Sequence, residues 1–178
     1  MSKKLKLFIV LLIAIISILL FYLNESAKEK NSYLNLNELV FYGEFHQYLS
    51  NLYLITETME LYNEEFSEEE VELYFQALNN TLSNINHLVG TLNYLSSNLY
   101  GDKVATHFLQ SLRPTNTKLE KVDYKQKKHE VTNILKRSLF ELEALSEYEN
   151  VTTEQGIIDI TKAFNHLEKK LESILSEH

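Results

Sequence analysis

Apolar side chains recur at alternating intervals of four and three residues along most of this chain, and that spacing restricts it to helices packed side by side. One stretch reads Phe41, Phe45, Tyr48, Leu52, Ile55, Met59, Tyr62, Phe66. The next reads Val71, Phe75, Leu78, Leu82, Ile85, Val89, Leu92, with Ser96 interrupting before Leu99. The last reads Ile157, Ile160, Phe164, Leu167, Leu171, Ile174. A weaker stretch keeps the pattern at Val131, Leu135, Leu142 and Leu145, broken at Ser138. A mean period of about 3.5 residues gives each helix one apolar seam, the geometry of left-handed bundles. One proline and four glycines in 178 residues leave little material for turns.

Boundary signals cut the pattern into four helices. Ser67 with Glu70, Thr117 with Glu120 and Thr152 with Gln155 each have the spacing of a capping box. Tyr100-Gly101-Asp102 and Arg113-Pro114 bracket a short helical segment, Lys103 to Leu112, inside the long 100–117 connection. The connections at 63–67 and 148–152 are short, so the helices they join should be antiparallel neighbours. The expected fold is all-α: an antiparallel, up-down four-helix bundle over residues 36–178. A continuous coiled coil is the alternative, disfavoured by the caps and turns.

The N-terminus carries a different signal. Lys3, Lys4 and Lys6 precede an apolar run from Leu7 to Leu23 in which Ser17 is the one small polar member. Those 17 residues span about 26 Å as a helix, near the roughly 30 Å of a bilayer core. Tyr22 falls where an amphipathic ring suits the headgroup layer. The lysines ahead of the run place residues 1–6 in the cytoplasm as a basic tail, 7–23 as a single-pass transmembrane anchor, 24–35 as a linker and the bundle outside. Cleavage near Ala27, which would release a secreted protein, is the alternative; the apolar run is long for a signal peptide and Glu25 stands where a small residue is wanted. The absence of cysteine and the abundance of Asn, Lys, Ile and Tyr suggest a bacterial protein.

Charge is arranged in blocks. From Asn31 to Asp102 there are eleven acidic residues and no lysine or arginine; from Lys103 to Arg137 nine basic face three acidic; from Ser138 onward nine acidic face three basic. In a four-helix up-down path, Lys103, Arg113, Lys118, Lys121, Lys125, Lys127 and Lys128 fall together at the membrane end, a lipid-proximal basic cluster. The acidic turn around Glu64–Glu70 falls at the far end. Alternatively the basic helix complements its acidic neighbours within the bundle. A mostly acidic exported domain lacks the field that nucleic-acid binding needs.

Between Leu73 and Gly101 the second helix has no charged side chain. Ser83, Gly90 and Ser97 recur every seven residues, with Asn79, Asn86 and Asn93 beside them and Tyr94 adjoining. Charge depletion with an aromatic present is typical of interface cores, so Asn79, Ser83, Asn86, Gly90, Asn93, Tyr94 and Ser97 form the expected protein interface. The competing expectation is that the 103–112 segment folds over this face.

Chemistry is harder to find. None of the six histidines lies within four residues of another, and no Glu-x-x-His pair suggests a di-metal bundle. No cysteine nucleophile or Gly-x-Ser-x-Gly elbow is present. The reading is therefore a protein without catalytic residues, bound metal or cofactor, acting at the cell envelope through a protein partner or self-association. A sensor-like, ligand-binding ectodomain serving a separate signalling subunit is the alternative, with Tyr48, Tyr62 and Tyr74 as lining.

Overall fold

A computed structural model describes the backbone of residues 3–123 and 125–176, and side chains from Ile16 onward except that of Tyr124. Among the described residues there are six helices and no strand: α1 Lys3–Leu61, α2 Glu68–Tyr100, α3 Asp102–Lys121, α4 Lys128–Leu145, α5 Tyr148–Val151 and α6 Glu154–Ser176. The chain divides into two compact units, Met1–Asn37 and Glu38–His178.

In the first unit the stretch expected as a linker, 24–35, is helical throughout. It contains neither glycine nor proline, and Lys28 donates to Glu25 one turn back at 2.9 Å. The described side chains from Ile16 to Leu23 are exposed. Among the described residues no helix is long and apolar enough to cross a membrane. Within the expected span the described side chains are those of Ile16 to Leu23, about 12 Å of helix. The side chains of residues 7–15, and of Lys3, Lys4 and Lys6, lie outside the described residues.

The second unit is the bundle, and it departs from expectation in one large respect. The segment read as a short helix within a connection is a twenty-residue helix, α3, that runs through Pro114. The bundle thus has five long helices, not four. Proline inside a helix removes one backbone hydrogen bond and costs about 3 kcal/mol. Burial of Ala105, Phe108, Leu112, Thr115 and Leu119 along one face offsets that cost. Thr117, expected to cap a new helix, lies within α3 and its hydroxyl donates to the Arg113 carbonyl at 3.0 Å.

Contacts along the helices give their directions. Phe41 meets Phe108 and Tyr48 reaches Asn116, so the bundle part of α1 runs parallel to α3. Tyr53 donates to Glu143 and Lys136 to Glu60, so α4 runs antiparallel to α1. The result is an up-down-up-down-up path. The α1 seam is buried from Phe41 to Met59 without a gap, and the whole predicted α6 seam is buried. Phe41, Phe45, Phe108 and Phe164 form an aromatic centre with ring centroids 6.0–6.4 Å apart. Ser138, which interrupts the α4 pattern, is nonetheless buried.

Caps follow local chemistry. The Ser67 hydroxyl accepts from the Glu70 N–H, while the Ser67 N–H and hydroxyl donate to the Glu70 carboxylate, completing the predicted box. Those donors hold the Glu70 carboxyl below its usual range. The cap expected at Thr152 is displaced by one residue: the Gly156 N–H donates to the Thr153 hydroxyl at 3.1 Å, and Thr152 instead bonds back to Tyr148. Gly101 alone joins α2 to α3, at φ 82° and ψ 161°, a conformation suited to glycine.

Candidate functional site

The α2 face that the sequence singles out is divided by α3. At one end the Asn86 amide donates to Glu120 Oε1 at 2.6 Å and accepts from Asn116 Nδ2 at 3.3 Å. Asn116 in turn accepts from the Tyr48 hydroxyl at 2.8 Å. Four side chains thus form one hydrogen-bonded path from the centre of the core to the surface, each donor satisfied by the next acceptor. Burial pushes the Tyr48 phenol far above the usual tyrosine range, so it serves here as a neutral donor. At the other end the Ser97 hydroxyl donates to the Asp102 carboxylate.

Between these ties the face is open. Gly90 is exposed, and a Cβ built on it would meet nothing within 4 Å. Tyr94 is 68% exposed. Asn93 is half-buried. The seven expected interface residues therefore separate into a pair that α3 engages, Asn86 and Ser97, and an unengaged set. Within that set Asn79 and Ser83 line a groove of about 380 Å³ between α2 and the end of α3. Phe75, Leu78 and Leu82 supply its apolar side, and Asn86 and Glu120 its polar edge. A shallower depression of about 360 Å³, lined in part by Glu72, Gln76 and Asn80, adjoins it and shares Phe75 and Asn79.

The basic residues are not gathered at one end. Lys103, in the first turn of α3, lines a second groove, of about 340 Å³, with His107 and Lys162. Arg113 and Lys121 are exposed. Lys118 donates to Glu168 at 2.6 Å and to Glu172 at 3.1 Å. Partial burial alone would lower its pKa, but the two carboxylates reverse this and hold it above the ordinary lysine value. Lys127 pairs with Glu130 at 3.8 Å. Lys125 lies 5.8 Å from the Phe75 ring centroid, and Lys128 donates to the Tyr62 carbonyl at 2.7 Å. These last lysines thus border the turn that carries Glu64–Glu70. The expected separation of a basic base from an acidic tip is corrected, because α3 is a complete extra traverse of the bundle and delivers Lys121, Lys125, Lys127 and Lys128 to the acidic end.

Tyr48, Tyr62 and Tyr74 do not line one cavity. The Tyr62 and Tyr74 rings meet 5.1 Å apart, tilted by 56°, beside the α1–α2 turn, whereas Tyr48 lies about 21 Å back along α1 at helical rise. Burial, and then the neighbouring Tyr62, push the Tyr74 phenol up to about 12. Among the described residues no group of three His, Asp or Glu side chains is placed to hold a metal ion. His46 Nε2 instead lies 3.0 Å from the Ser146 carbonyl, tying α1 to the end of α4.

Neither the polar path nor the groove was foreseen from sequence. Both need α3 beside α2; the spacing Ala105, Phe108, Leu112, Thr115, Leu119 signals that helix, but Pro114 in its middle is locally a stop signal. Comparison of the chain with protein-family models, with curated proteins and with solved structures finds no match.

Proposed function

We propose that this is a membrane-anchored, extracytoplasmic helical protein that acts by binding a partner at the cell envelope rather than by catalysis. The observation that carries the reading is the open part of α2. A helix uncharged from Leu73 to Gly101 exposes Leu73, Gly90 and Tyr94, where an ordinary solvent face would carry charge. Tyrosine on a charge-depleted surface suits a protein contact. Anchoring is supported by the Leu7–Leu23 run with lysines before it, and by exposed Ile18, Leu19, Leu20, Phe21 and Leu23, which are costly in water. The bacterial assignment rests on composition.

The test is in-cell cross-linking of the full-length chain tagged at its C-terminus, with mass spectrometry of what is recovered. A dominant heterologous partner, lost on Gly90→Lys or Tyr94→Asp, is the expected result. Equal recovery with both variants would remove the α2 face from the reading. Protease accessibility of the tag in intact cells tests the topology, and protection would reverse it.

The alternative, a ligand-binding ectodomain, is favoured by the groove at Asn79, Ser83 and Asn86. Its volume lies in the range of small-molecule sites, and Asn86 links it to Tyr48 on α1. A ligand would raise the melting temperature by mass action.

A further inference from the structure

We propose that the groove along the first half of α2 binds a neutral oligosaccharide, an inference that rests on the ligand-binding reading. The polar lining is made chiefly of amides and a hydroxyl: Gln76, Asn79, Ser83 and Asn86. Among the described residues, Gln76, Asn79 and Ser83 have no side-chain hydrogen-bond partner, so their donors and acceptors face outward. Each amide offers both an N–H and a carbonyl, and the hydroxyl also does both.

Ligand classes can be tested against that lining. An ammonium compound only donates, so it would leave the amide N–H groups unmatched. A phosphate or carboxylate only accepts, and it would meet Glu72 and Glu120, two carboxylates against the single Lys125 ammonium beside Phe75. A sugar hydroxyl donates and accepts at once. Its donated proton suits the Glu120 carboxylate, already held by the Asn86 amide at 2.6 Å. The apolar C–H face of a pyranose suits Phe75, which is shared by both depressions.

Spacing separates a saccharide from an extended peptide, which also carries mixed donors. Residues 76, 79, 83 and 86 present one polar side chain every three or four residues, a mean repeat of about 5.0 Å at helical rise. That is close to the length of one hexose in a linear chain. An extended peptide repeats its facing groups every two residues, about 6.7 Å, and drifts out of register along the groove.

Calorimetric titration of the full-length chain, in a detergent free of sugar, tests this with chitotetraose, cellotetraose, maltotetraose and mannotetraose. Spermidine and tetraalanine are the contrasting probes. Saturable binding of at least one tetrasaccharide is expected, weakened about tenfold by Asn79→Ala and by Gln76→Ala. Both side chains are exposed, so an unchanged melting temperature should accompany the loss. Saccharide binding that neither variant weakens would overturn the proposal. Saturation only by spermidine or tetraalanine, sensitive to Asn79→Ala, would overturn the saccharide class and leave the ligand-binding reading standing. No saturation by any probe up to about 10 mM would overturn both.

Discussion

Tyr48 shows how much one buried hydroxyl can organise. It is fully buried, its one described polar partner is Asn116, and Asn116 also faces Asn86. Tyr48→Phe removes the donor and leaves the Asn116 carbonyl unsatisfied in the core, a loss of about 1–3 kcal/mol. Urea denaturation checks it, and a double-mutant cycle with Asn116→Ala should give a coupling of the same sign. Two glycines make the opposite point about sequence. Gly90 lies inside α2 and Gly156 in the first turn of α6, and neither position says whether a side chain would fit. A Cβ on Gly156 would lie 1.8 Å from the Asn150 carbonyl oxygen, because α5 crosses there, whereas one on Gly90 meets nothing. Gly156→Ala should lower the melting temperature sharply, and Gly90→Ala should raise stability by about 0.5–1 kcal/mol through helix propensity. Equal effects in thermal unfolding would contradict this placement of α5.

Among the elements, α3 decides the architecture. Its apolar face is regular, yet Pro114 breaks the rule by which helices are read to end. The rule yields because Phe108, Leu112 and Leu119 on either side of the proline are wholly buried. Pro114→Ala restores the backbone N–H while loosening the unfolded chain, so the expected net gain is about 1–2 kcal/mol. A rise in the thermal midpoint checks it, and a fall would mean that the proline conformation is needed where it stands. The same helix explains why the capping signal at Thr117 misleads. Threonine and glutamate three residues apart also suit a helix interior, where Thr117 bonds to Arg113 and Glu120 turns to Asn86.

For the whole molecule, the charge blocks reach one another through the traverse that α3 adds. Lys118 sits between Glu168 and Glu172, joining the basic block to the last acidic one. Its folded pKa lies above the unfolded value, so its stabilisation is complete below the ordinary lysine pKa and fades as pH rises through the folded one. A denaturation series into the alkaline range should show that loss, and Lys118→Met should flatten it. The helical class, three of the buried seams, the Ser67 cap and the uncharged run on α2 are legible in the residues alone. All of these are local, because a 3.5-residue period and a capping hydroxyl act within a few turns of chain. The number of helices, the end to which Lys121, Lys125, Lys127 and Lys128 are carried, the path from Tyr48 to Glu120 and the groove beside Asn79 come from packing. Each depends on whether burial of one helical face outweighs a proline, and then on distant contacts such as Tyr48 with Asn116, 68 positions apart, which no local spacing encodes.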